Sequence, residues 1–204
     1  MKNIFLKLAH ILAAASLAVA FAGCGSAPNI ATNGLSTVNS NDAKKPQPGD
    51  FPPLASALAE SEFENLDGSK FKVSERKGKV LLLNIWGIWC GPCRAEMPHL
   101  VAMQDQYRDK GLEVIGLNIG NQNLEPESVE AIKNFADNFT PKLNYTLARS
   151  HRPSTSEFYK ISGQSAVPQS LIIDREGRLR GVFIGGGASV IGKMKETVAK
   201  TMAE

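Results

Sequence analysis

Cys90 and Cys93 stand three residues apart, with Gly91 and Pro92 between them and Trp89 before them. An apolar run, 80–85, leads in, and Arg94-Ala95-Glu96-Met97-Pro98-His99-Leu100 leads out. A strand that ends at Trp-Cys and feeds a helix puts Cys90 at the helix mouth and Cys93 one turn inside. The first four N–H groups of a helix lack partners, and the helix dipole places partial positive charge there. A thiolate at Cys90 is therefore stabilised, its pKa falling from about 8.5 in a free thiol toward about 7. Cys93 then lies within reach of a mixed disulfide formed at Cys90. The chemistry open to such a pair is dithiol–disulfide exchange, with Cys90 the more exposed nucleophile and Cys93 the resolving thiol. An inert structural pair is the alternative, but buried unreactive cysteines rarely straddle Gly-Pro after a Trp at a strand end. Half a zinc site is another, and it needs two further Cys or His ligands. His10, His99 and His151 form no spaced pair, so neither a metal nor an organic cofactor is expected.

At 204 residues the chain holds one domain plus appendages, and 43% hydrophobic residues suffice for a core. The formal charge is +3, and losing Lys2 and Lys7 with a leader lowers it by two. No basic surface for nucleic acid is implied.

Residues 1–23 carry Lys2 and Lys7, then an apolar stretch, then small residues, which reads as a signal peptide too short for a membrane span. It closes on Phe21-Ala22-Gly23-Cys24, which resembles a bacterial lipoprotein cleavage box, although Phe replaces the usual Leu. In that reading Cys24 becomes the first mature residue and carries lipid. An ordinary secreted protein and an uncleaved anchor are the alternatives. All three place the domain outside the cytoplasm, where disulfide chemistry is permitted. Residues 24–50 are rich in Ser, Asn, Ala, Gly, Thr and Pro and read as a flexible tether.

The folded domain is expected over 51–204. Asp67-Gly68 turns a hairpin between 61–66 and 70–73. The run 80–85 is a strand covered on both faces. A helix from 91 to 110 has Ala95, Leu100, Met103 and Tyr107 as its buried stripe and Gly111 as its stop. A second strand covers 112–119, and Glu125-Pro126-Glu127 opens a helix to 138. A short strand at 144–148, a helix at 154–161, strands at 169–173 and 178–184, and a helix carrying Val190, Ile191, Met194 and Val198 complete the chain. This order gives an α/β domain with a mixed central sheet flanked by helices and an N-terminal β-hairpin.

Trp89-Cys90-Gly91-Pro92-Cys93 on this topology resembles the thioredoxin fold, with Val167-Pro168 in the place of its cis-proline. The run from Asn84 to Pro98 is similar to the membrane-tethered TlpA/ResA-like thiol–disulfide oxidoreductases of bacteria. The strand beginning Gly111-Leu112-Glu113-Val114 and the turn Asp174-Arg175-Glu176-Gly177 match as well. The likeness covers about residues 50–203. It departs in the tether, in 121–127, and at Gln169, where Thr commonly follows the proline.

The resemblance implies a reductase of disulfides in exported proteins, apocytochrome c among them, supplied by a membrane thiol carrier and acting as a lipid-anchored monomer. It implies a cis Pro168 that offers the Val167 backbone to a bound peptide, beside Trp89, Gly91 and Pro92. An ordinary trans loop proline is the alternative. Trp89 either shields the site from water or only packs. Glu96 lies one turn after Cys93, and the resembled group carries an acidic residue there that handles protons for the dithiol. A shielded carboxyl has a raised pKa, which suits exchange with a thiol. A solvated glutamate paired with Arg94 or His99 is the alternative. His99 and His151 read as surface residues. A disulfide-forming oxidant, a peroxide-defence protein and a non-catalytic binding lipoprotein on the same scaffold are the competing functions.

Overall fold

The computed structural model describes residues 48–204. The expected leader, Cys24 and the expected tether up to residue 47 lie outside the described residues. One seven-stranded sheet carries the domain, in the order β2-β1-β5-β4-β3-β6-β7. Its centre is β3 (Val80–Trp86), parallel to β4 (Leu112–Asn118) and antiparallel to β6 (Gln169–Ile173). Beyond β4 lies β5 (Thr146–Arg149), and beyond β6 lies β7 (Leu179–Ile184). The pair β1 (Glu62–Asn65) and β2 (Lys70–Lys72) turns at Asp67-Gly68 and adds to the free edge of β5.

All seven residues of β3 are buried, so alternate side chains supply two cores. Leu81, Leu83 and Ile85 join Phe63, Leu117, Phe158 and Leu171 on one face. Val80 and Leu82 meet Leu100 and Met103 of α2 (Gly91–Tyr107) and Met194 and Val198 of α5 (Ala188–Met202) on the other. The two remaining long helices are α3 (Val129–Asp137) and α4 (Arg152–Ser162); α1 (Ser56–Ala59) is one turn that buries Leu58.

Two expectations are corrected. Ala95 is exposed, and the buried face of α2 is Cys93, Glu96, Met97, Leu100, Val101, Met103 and Gln104. The phase is fixed by Cys93 turning inward, which at 3.6 residues per turn carries Glu96 and Met97 in with it. Glu125-Pro126-Glu127 does not open a helix. Asn121 Oδ1 accepts from the N–H groups of Asn123 and Glu125 and holds 121–125 as a turn, while the Glu127 carboxylate accepts from Asn118 Nδ2. Helix α3 starts later, where Ser128 Oγ caps the Ala131 N–H at 3.1 Å.

Candidate active site

The central strand β3 ends at Trp86, and Gly87 starts a turn closed by the Cys90 N–H on its carbonyl. Cys90 is the N-cap of α2, in an extended conformation, and its Sγ accepts from the Cys93 N–H at 3.1 Å. Cys90 and Cys93 are joined as a disulfide with their Cα atoms 5.2 Å apart. Pro92 falls where a helix tolerates it, in the first turn.

The expected difference in exposure between the two sulfurs is absent: Cys90 is 3% exposed and Cys93 2%. With the disulfide closed, both belong to a cluster with Trp86, Met97 and Ile132, with Val167 packed against it. What faces solvent is the skin around them, Gly91, Pro92 and Trp89, the last 39% exposed.

Trp89 is held by its polar edge, with Nε1 donating to the Gly120 carbonyl at 2.9 Å. A side chain on Gly87 would strike that indole at 2.5 Å, and one on Gly120, where φ is +90°, would strike the Glu125 carbonyl at 2.1 Å. Both glycines are therefore part of the site's construction. A cleft of about 390 Å³ opens beside Trp89, lined also by Leu124, Tyr159 and Val167.

The Val167–Pro168 peptide is cis. Its loop is braced by Gln169, whose Nε2 donates to the carbonyls of Gln164 and Ala166 at 2.7 and 2.8 Å. Gln169 thus departs from the family pattern with a fully buried side chain that works on the loop from behind. The sequence gives no hint of Gly186 as a site residue. A Cβ there would lie 2.7 Å from the Pro92 carbonyl oxygen and 3.7 Å from Pro168 Cγ. Gly186→Ala must therefore push apart the motif and the proline loop. The expected loss is about 1–3 kcal/mol of stability, from overpacking, and about tenfold or more in disulfide-exchange rate. Urea unfolding and an exchange assay on the same variant check this, and wild-type behaviour in both would refute the contact.

Glu96 is 2% exposed and pairs with neither Arg94 nor His99. Ser170 Oγ donates to its Oε1 at 3.3 Å, and Asn84 Nδ2 donates to Ser170 Oγ at 3.0 Å. Burial pushes the Glu96 carboxyl up to about 7, with the Ser170 hydroxyl pulling weakly the other way. His99 Nδ1 lies 3.2 Å from Lys195 Nζ, and His151 lies 3.8 Å from a Glu64 carboxylate oxygen, both away from the disulfide pair. Among the described residues no group of His, Cys, Asp or Glu could hold a metal ion, and no helix is long and apolar enough to cross a membrane.

A disulfide at a helix N-terminus, a cis-proline loop against it and a shielded carboxyl one turn on form an arrangement suited to exchanging disulfides with another chain. The ResA thiol–disulfide oxidoreductase of Bacillus thuringiensis is 31% identical over 115 residues, 56% of this chain and 60% of that one. The ResA protein of Bacillus subtilis is 28% identical over 123 residues, 60% of this chain and 63% of that one. The chain therefore spans about three-fifths of the length of these relatives. A putative DsbE thiol:disulfide interchange protein from Chlorobium tepidum superposes with a TM-score of 0.59 at 21% identity, over 74% of this chain and 96% of that one. A putative protein disulfide isomerase from Bacteroides thetaiotaomicron gives 0.59 at 22% identity, over 71% and 86%. These neighbours share the thioredoxin-like fold. The Redoxin family model matches residues 47–198, three-quarters of the sequence, and the chain belongs to the Redoxin family.

Proposed function

We propose that this protein is an extracytoplasmic thiol–disulfide oxidoreductase that reduces disulfides in exported proteins. The observation that carries the reading is the Cys90–Cys93 disulfide at the N-terminus of α2, with Val167–Pro168 beside it. In the reduced protein the Cys90 thiolate attacks a substrate disulfide, bonds to one sulfur and expels the other with its electron pair. The Cys93 thiolate then attacks Cys90 Sγ, closing the Cys90–Cys93 bond and expelling the second substrate sulfur. Two electrons pass to the substrate; the dithiol gives up two protons, and the two substrate sulfurs take up two, by exchange with solvent.

Each neighbouring residue has a role in this reading. The Cys93 N–H stabilises negative charge on Cys90 Sγ. Glu96 takes the Cys93 proton. The Val167 backbone pairs with an extended substrate segment running past Trp89, Gly91 and Pro92. The likeness to the ResA proteins supports apocytochrome c as substrate and a membrane thiol carrier as electron donor. A lipid on Cys24 would keep the domain, a monomer, at the membrane surface beyond its 24–50 tether.

The test is reduction of insulin disulfides by the prereduced protein, together with its potential in glutathione buffers. Gly-Pro between the cysteines places the potential near the reducing end, at roughly −270 mV. A value close to −120 mV would instead make the protein an oxidant, and no turnover would leave a binding protein on a redox scaffold.

A further inference from the structure

The two carboxylate oxygens of Glu96 sit in unequal surroundings. Oε1 accepts from Ser170 Oγ at 3.3 Å, whereas Oε2 is buried and has no hydrogen-bond partner among the described residues. Ser170 and Asn84 face each other in the β3–β6 register, and they are 1% and 2% exposed. Their neighbours Leu82, Leu83, Ile85, Leu171 and Ile172 are all apolar and buried. Two polar side chains at that depth are costly unless they are bonded.

The bonds they make have a fixed direction. Asn84 Nδ2 lies 3.0 Å from Ser170 Oγ and 3.5 Å from the Gln169 carbonyl. A carbonyl only accepts, so the end of the Asn84 amide facing β6 is its NH2 group. Ser170 therefore accepts from Asn84, and its one proton points to Glu96 Oε1. A proton carried on Oε1 would compete with the Ser170 hydroxyl for the same line of contact.

We propose that Asn84 and Ser170 are positioning residues that hold Glu96 Oε1 as an acceptor and leave Oε2 as the oxygen that takes up and returns the proton in disulfide exchange. The proposal rests on the reading of Glu96 as the proton acceptor of Cys93. In the step concerned, the Cys93 proton moves to Oε2 and the thiolate electron pair forms the bond to Cys90 Sγ. The bond from Cys90 to the substrate sulfur breaks, and that sulfur leaves with its electrons and takes a proton from water. Oε2 later returns its proton to solvent.

The other titratable groups around Glu96 do not compete for this role. On α2, Cys93 is its partner in the step, and His99 is engaged with Lys195 of α5. Just before β5, Tyr145 is half-buried, and its loss of water together with the negative charge of Glu96 pushes its hydroxyl pKa up, so it stays protonated. No cation lies within ion-pair distance of Glu96 among the described residues. Ser170 is thus the one donor to the carboxylate among the described residues.

The experiment is a 13C NMR titration of the Glu96 carboxyl in the disulfide form, its signal identified by loss in Glu96→Gln. It is paired with the pH profile of mixed-disulfide resolution, read as release of the second thiol from a small aromatic disulfide. Ser170→Ala is expected to raise both midpoints by about one pH unit, because the anion loses its donor. Ser170→Thr keeps the hydroxyl and the wild-type midpoints. Asn84→Ala shifts them in the same direction by less, and the double variant by no more than Ser170→Ala. Unshifted midpoints in Ser170→Ala, with Glu96→Gln abolishing the titration of the rate, would overturn the positioning role alone. An unchanged rate profile in Glu96→Gln would overturn the role of Glu96 and the proposal with it. If Ser170→Ala does not fold, Asn84→Ala decides, since it leaves every strand residue facing Glu96 in place.

Discussion

Reduction of insulin disulfides by Cys90→Ser is expected to fall by a factor of at least about 10³. A serine hydroxyl is no nucleophile toward a disulfide at neutral pH, and the remaining thiol, Cys93, is 2% exposed. Cys93→Ser should behave differently. It keeps the first attack, because Cys90 remains at the helix N-cap, but it lacks the sulfur that closes the intramolecular bond. The product is a stable mixed disulfide, visible as one substrate adduct in the intact mass. Exposure cannot assign these roles, since the two sulfurs are almost equally covered in the oxidised form. The assignment rests on electrostatics: the Cys93 N–H points at Cys90 Sγ, at the positive end of α2. Adducts on Cys90→Ser and none on Cys93→Ser would reverse it. Trapped on Cys93→Ser in cells, the adduct also reveals which proteins serve as substrates.

The parts of the site that lie close together in the chain are legible in the sequence. Trp89 to Cys93 after an apolar run of strand length fixes where the disulfide sits, and Ser165 to Pro168 before another such run places the loop that faces it. What sequence hides is the meeting of residues far apart. Gly186 touches the Pro92 carbonyl across 94 positions, and nothing in a triplet of glycines distinguishes a chain break from a close approach. Asn84 in a run of Leu and Ile and Ser170 after Gln169 are weak polar signals, and only the β3–β6 register places them opposite one another. The error on α2 has a similar origin. Ala95 and Glu96 are adjacent, and hydrophobicity alone favours turning the alanine inward. The phase of the helix is decided instead by the disulfide, which requires Cys93 to face the sheet.

Stability of the oxidised protein is expected to fall as pH rises from about 4.5 through about 7, and Glu96→Gln is expected to remove this fall. The carboxyl has its ordinary value, 4.5, when the chain is unfolded and about 7 when folded, because burial disfavours the anion. Between those values the native state holds a proton that the unfolded chain has lost, so each step up in pH favours unfolding. The contribution is complete below about 4.5 and gone above about 7. At roughly 1.36 kcal/mol for each pKa unit, the displacement corresponds to about 3 kcal/mol. Gln has no proton to lose, and its amide oxygen still accepts from Ser170. The amide nitrogen inherits the unpartnered place of Oε2, at a cost of roughly 1–3 kcal/mol that does not depend on pH. The quantity to read is therefore the change in the difference between variant and wild type. Urea unfolding at pH 4.5 and pH 8 should show Glu96→Gln gaining about 3 kcal/mol relative to wild type across that interval. Parallel curves would mean that the folded protein binds no extra proton at this carboxyl. If Glu96 takes the Cys93 proton as proposed, Glu96→Gln should combine this relative gain in stability at alkaline pH with a loss of exchange rate in the same variant.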